Sequence, residues 1–352
     1  MKNGKKLLAV IAVLLAAVFV FAACAPTQPA ASPSASAEES VAPSASESAA
    51  ADASADKPAG EKKKVLFTNA MNTAPFCAPL NEQAKKTAEE NNIDLQIEDG
   101  QADASVQLDQ IKNAISQGYD GILYFPADKE GSISIIKTLN ESGIPYAVID
   151  SQVDDSVKDT ITAFAGPDNV HMGEVAGQAC VDILGGKGNV VILEGAAGTD
   201  PATNRQKGFM NIVEKSPDIK ILASQNVDGW DPAKAMTIMQ DYITRFGDEI
   251  DFLYTHDDGI FQGAQQAIDQ AGMTGKIKAI STGANNVGCA AIDAGSLYGA
   301  VLHSAKEEGQ LGIEALVKVM NGEIKPGDQE WLKCSSPLVT KENIEEWRGM
   351  GW

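Results

Sequence analysis

The sequence predicts an α/β protein of two lobes, each a doubly wound parallel sheet. Three observations lead there. The chain has 352 residues, enough for two ordinary domains. From Lys62 onward, short β-branched or apolar runs alternate with amphipathic stretches, and such alternation implies parallel strands joined by covering helices. Finally, the alternation yields some ten strands, too many for one such sheet, so they divide into two.

In the first series, strands are predicted at 65–68, 93–98, 121–125 and 145–150, with helices at 79–91, 104–117 and 130–142. Within the helix after Ser105, the apolar residues Val106, Leu108, Ile111, Ala114 and Ile115 recur at helical spacing with polar residues between them. Gly118 and Gly143 stand where left-handed caps stop their helices. The second series has helices at 170–184, 204–215, 232–245, 259–271 and 305–320, and strands at 188–193, 219–224, 251–255, 276–281 and 299–303.

In sheets of this kind ligands sit beyond the carboxyl ends of strands. That singles out six polar or glycine-rich loops, at 69–77, 150–152, 195–205, 228–231, 256–258 and 282–286. Any one of them is an ordinary turn or helix cap. Together they carry Asp, Asn, Arg, His and Trp, and point to a polar ligand.

The N-terminus is set apart. Lys2, Lys5 and Lys6 precede an uncharged apolar stretch at 7–23, which ends in Phe21-Ala22-Ala23-Cys24. This resembles a bacterial lipoprotein leader, in which Cys24 becomes the lipidated N-terminus after residues 1–23 are removed. Residues 25–60 hold 13 Ala, 8 Ser and 5 Pro. So few large apolar side chains cannot offset the entropy of ordering, and a tether is expected at 24–60.

Acidic residues outnumber basic ones, 48 to 28, for a net charge of −20, which argues against a nucleic-acid partner. Cys77, Cys180, Cys289 and Cys334 are widely spaced without a CxxC pair. Export permits disulfides, and buried free thiols fit equally well. There is no phosphate loop of the GxxxxGK[ST] type, no GxSxG elbow and no HExxH. No metal and no cofactor is therefore expected. His256-Asp257-Asp258 are consecutive and lack the spacing of a metal site. A pair of cleft carboxylates such as Asp150 and Asp257 leaves glycoside hydrolysis as a remote alternative.

Several motifs carry a resemblance. Ala74-Pro75-Phe76 follows the first strand, and Ile144 to Asp150 forms an I-P strand ending in Asp. Asp168-Asn169 is followed by Gly173 and Gly177. Gly195, Gly198, Thr199, Arg205, Gly208 and Phe209 form a G-x-x-G-T…R-x-x-G-F pattern, and Asp258 precedes Gly263-Ala264 and Ala267. Residues 62 to about 340 thereby resemble type 1 periplasmic sugar-binding proteins of the ribose-binding group.

The resemblance implies a three-segment hinge, with one lobe at 61–168 plus 304–333 and the other at 169–303 plus 334–352. It implies a site in which Phe76 and Trp230 stack on a sugar, while Asp150 and Arg205 grip hydroxyls. Asp257 stands for a hydroxyl-binding asparagine and His303 for a hinge-side glutamine. Asn72, Ser151, Gln152, Asp200 and Asn204 complete the candidate set. Ser151 replaces an expected arginine, Gly283 an expected aspartate, Ala74 an expected asparagine and Cys77 a second aromatic, which argues against ribose itself. The implied activity is capture of a monosaccharide or polyol by a monomeric, lipid-anchored extracytoplasmic protein for the permease of an ABC importer. Presentation of ligand to a receptor kinase or chemoreceptor is the alternative.

Overall fold

The computed structural model describes residues 61–352; the leader, Cys24 and the tether lie outside the described residues. Runs of Val, Ile, Leu and Phe form two six-stranded sheets. The first begins with β1 (Lys63–Asn69), α1 (Cys77–Glu90), β2 (Ile93–Asp99), α2 (Ala104–Ser116), β3 (Gly121–Tyr124), α3 (Lys129–Ser142), β4 (Tyr146–Ile149) and β5 (Ala163–Gly166). The second takes α4 (Asn169–Leu184), β6 (Lys187–Glu194), α5 (Asp200–Val213), β7 (Asp218–Asn226), α6 (Pro232–Phe246), β8 (Phe252–Thr255), α7 (Asp258–Gln270), β9 (Lys278–Gly283), α8 (Asn286–Ala294) and β10 (Gly299–Leu302). Then come α9 (Ala305–Met320), β11 (Glu330–Lys333), β12 (Leu338–Thr340) and α10 (Ile344–Trp347).

The strand orders are β11-β5-β4-β3-β1-β2 and β12-β10-β9-β8-β6-β7. Both reverse direction beside their first strand, so each lobe has a switch point, at β1/β3 and at β6/β8. β11 joins the first sheet in parallel, and β12 joins the second antiparallel to β10. The chain therefore passes between sheets three times: after β5, after β10, and between β11 and β12.

Each sheet buries both faces. In the first lobe, α1 and α9 cover one core around Phe67, Leu80 and Leu316, and the other face packs around Ile111, Ile135 and Tyr124. In the second, α4 and α5 enclose Met172, Phe209 and Tyr254, opposite a core with Met239, Phe261 and Leu302. Burial on both sides explains why the strands are continuous apolar runs.

The sequence reading missed β5, β11, β12, α8 and α10. Ala163–Gly166 reads AFAG, with no β-branched residue, and becomes a strand because β4 and β11 pair with it on either side. Among the described residues twelve strands form instead of about ten, and the antiparallel edge at β12 departs from an all-parallel sheet. Helix α5 starts at Asp200, four residues before its predicted start, because Thr199 is extended and Pro201 fits the first turn.

Candidate functional site

The ends of β4, β6, β8 and β10 meet the N-terminal turns of α1, α5 and α9 at one buried polar cluster. Asp150 follows β4 at φ 66°, a left-handed conformation that Asp adopts more readily than most residues. Its Oδ1 accepts from Ser151 Oγ at 2.7 Å. From the second lobe, Arg205 on α5 donates through Nε to Asn169 Oδ1 (2.9 Å) and through Nη1 to the His256 carbonyl (2.7 Å). Its Nη2 lies 3.2 Å from His303 Nδ1. Arg205 is 3 % exposed.

A guanidinium only donates, so His303 Nδ1 must accept and the ring proton sits on Nε2. Nε2 faces Glu308 Oε1 at 2.6 Å and Asp150 Oδ2 at 3.7 Å. Burial, then the Arg205 charge, holds His303 well below its usual range, so the ring is neutral. Burial, then the Asp150 charge, holds Glu308 well above the usual carboxyl range. Asp150 is raised by burial too, with Ser151 pulling the other way. The two buried carboxyls thus disfavour carrying two negative charges side by side, while the Arg205 charge opposes the rise in both. Asp150, His303 and Glu308 offer atoms within 4.8 Å of one another. Because Nε2 carries the proton, however, the histidine presents a donor there rather than a lone pair for a metal.

The other candidates distribute unevenly. Phe76 stacks on His303 with centroids 4.5 Å apart, so one ring face is already covered. Trp230, at φ 56°, lies over Gly195, where a Cβ would come within 1.9 Å of the indole. Asp257 caps α7 through Oδ1, accepting from the N–H groups of Gly259 and Ile260. Asp200 accepts from Asn169 and from Asn204 Nδ2. Across the cleft, Asp200 also meets Lys129 Nζ at 3.8 Å and the N–H of Gln152. Asn72 stands farther out: its amide oxygen accepts from Asn81 and its N–H donates to Asp99. Thus Phe76, Asp150, Ser151, Arg205 and His303 converge, Asp200, Asn204 and Gln152 form a cross-lobe clasp, and Asn72 is tied to α1 and to the end of β2.

Sequence reasoning missed Glu308, Asn169 and Lys129. Glu308 had a signal: it lies on the buried face of α9 with Ala305, Gly309 and Gly312, and a lone acid in a small-residue stripe marks a buried polar role. The four cysteines at 77, 180, 289 and 334 are free and buried.

Behind this cluster, Asp258 accepts from Ser281 Oγ and from the Asn285 N–H. Burial raises it to about 8, with Ser281 opposing and the Asp257 charge adding to the rise. The folded protein keeps this proton up to about pH 8, whereas an unfolded Asp releases it near about pH 4. The contribution to stability is full below about pH 4 and is lost as pH rises through about 8. The stability of Asp258→Asn is therefore expected to fall less between about pH 5 and 8 than that of the parent, by a difference on the order of a few kcal/mol. Parallel thermal melts would measure it, and identical slopes would contradict it.

Comparison with known proteins places this architecture. The family described as periplasmic binding protein domain matches residues 65–324, and the chain belongs to it. It lies with the type 1 sugar-binding proteins of the ribose-binding group. The xylitol-binding protein of Mycolicibacterium smegmatis is 28% identical over 287 residues, covering 82% of this chain and 80% of the relative. The ribose import binding protein of Bacillus subtilis is 28% identical, covering 76% of this chain and 86% of its own. The structure of an ABC transporter solute-binding protein from Bacillus halodurans with bound myo-inositol superposes with a TM-score of 0.75 at 25% identity, over 82% of this chain and 98% of that one. These relatives are binding proteins, not enzymes, and the hydrolase alternative falls away.

Proposed function

We propose that the protein captures one monosaccharide or polyol between its lobes and delivers it to the permease of an ABC importer. The observation that carries this is the buried Arg205–His303–Asp150 cluster, contributed by both lobes and the hinge. Three of the five guanidinium N–H groups hold protein partners, which leaves donors for a hydroxylated ligand. Phe76, stacked on His303, and Trp230, lying over Gly195, are the candidate stacking surfaces for C–H faces. Relatives named for xylitol, ribose and allose, and a structural neighbour holding myo-inositol, support this class of ligand. Micromolar binding corresponds to about −8 kcal/mol, which a few charge-assisted hydrogen bonds at about 1.5–3 kcal/mol each supply after ordering costs. A thermal-shift screen of pentoses, hexoses and polyols tests the reading: at least one is expected to raise the melting temperature in a saturable manner. A screen in which no sugar or polyol does so would count against it.

Cys24 is the lipid attachment site in this reading, and residues 24–60 hold the lobes off an extracytoplasmic membrane surface. Cys24→Ser is expected to lose the acyl mass and move the protein to the soluble fraction. Membrane retention without an acyl group on the parent peptide would reject the anchor.

A further inference from the structure

The segment after α10 returns to the polar cluster. Gly351 lies so close to Ala284 that a Cβ would stand 2.4 Å from the Ala284 carbonyl oxygen. The Asn286 N–H donates to the Trp352 carbonyl at 3.2 Å, and Lys306 Nζ to the Gly349 carbonyl at 3.0 Å. Lys306 thus ties Gly349 to α9 of the first lobe, while the Asn286 bond and the Gly351 contact fix the Trp352 backbone to the second lobe at the start of α8. Its indole points elsewhere. It meets Phe76 of the first lobe edge-on, with centroids 5.2 Å apart and planes at 81°, and meets the hinge residue His303 at 5.6 Å and 84°.

Gly283 makes room for it. A Cβ there would lie 2.9 Å from Trp352 Cη2 and 2.5 Å from an Asp258 oxygen, and the backbone sits at φ 141°. The resemblance predicts an aspartate at this position. Here position 283 carries no side chain, and the Trp352 indole lies beside it together with the Asp258 carboxyl, so the indole gives this part of the wall an apolar face. A ligand facing it must present C–H groups rather than hydroxyls, since an unpaired hydroxyl against an indole face is costly.

We propose that Trp352 is a wall of the ligand cleft, bridging both lobes and selecting ligands by size and by an apolar face on that side. This rests on the reading that the cleft binds a small polyhydroxylated molecule. The test has two arms, each with the parent, Trp352→Ala and Trp352→Phe. In the first, hydrogen exchange is followed without added sugar in peptides spanning 74–80 and 283–288, one from each lobe. Both are expected to exchange at least threefold faster in Trp352→Ala and at near-parental rates in Trp352→Phe. Acceleration confined to 283–288, or none, overturns the bridge. In the second, xylitol, D-ribose, D-allose and myo-inositol are titrated calorimetrically. Trp352→Ala is expected to bind whichever of these the parent binds at least tenfold more weakly; affinities within twofold of the parent overturn the wall. If none of the four binds the parent, the choice of ligand class has failed, and the exchange arm still decides the place of Trp352.

Discussion

Arg205→Ala is expected to weaken ligand binding at least tenfold, about 1.4 kcal/mol, and to destabilise the fold as well. A residue whose only role was to grip ligand hydroxyls would leave the fold intact when replaced. The structure changes that expectation. Arg205 satisfies Asn169 Oδ1, the His256 carbonyl and His303 Nδ1, and it carries the positive charge opposite Asp150. Alanine strands three buried acceptors, each at roughly 1–3 kcal/mol, so a stability loss of about 3 kcal/mol or more is expected. Binding must therefore be measured well below the variant's transition temperature, by calorimetry with a ligand identified in the thermal screen. A variant that binds like the parent would place the cleft elsewhere and leave the sugar assignment on fold analogy alone. Exposed Lys215→Ala is the control, expected to change neither quantity.

Gly208→Val is expected to cost about 3 kcal/mol or more, roughly 10 °C in the melting of the second lobe. Helices α4 and α5 touch backbone to backbone. A Cβ at Gly208 would stand 1.9 Å from the Val170 carbonyl oxygen and 2.9 Å from the Glu174 nitrogen. A Cβ at Gly173 would stand 2.1 Å from the Arg205 carbonyl oxygen. None of these atoms belongs to a side chain that can turn aside, so the helices must separate. Because α4 carries Asn169 and α5 carries Arg205, their separation also pulls apart the hydrogen bond that aims the guanidinium. Urea unfolding would show the loss. A variant within about 1 kcal/mol of the parent would mean that the helices slide apart without cost.

These two cases show what was legible in the chain itself. Periodicity located the helices, since an amphipathic stripe such as Val106–Ile111–Ala114 is a local property. The glycines at 173, 177 and 208 and the arginine at 205 were visible as a spaced pattern, and the loops after strands were visible as polar interruptions. From these came two α/β lobes and the cleft-facing loops, while the resemblance to the sugar-binding family supplied Phe76, Asp150, Arg205 and His303 as candidates. The sequence could not rank those candidates, because a side chain's role depends on what the other lobe brings to it. Asp200 was a ligand candidate from the resemblance, and only the fold shows that Lys129 and Gln152 meet it across the cleft.

Tertiary structure alone decided the rest. Ala163–Gly166 is a strand only because β4 and β11 offer it hydrogen bonds on both sides. The Glu308 carboxyl is pushed well above its usual range only because folding buries it beside Asp150. Trp352 reaches Phe76, far away in sequence, only because three crossings of the hinge bring the end of the second lobe beside the start of the first. Local spacing encodes which face of an element is apolar; burial, charge pairing and contact between distant segments exist only once those faces have closed on each other.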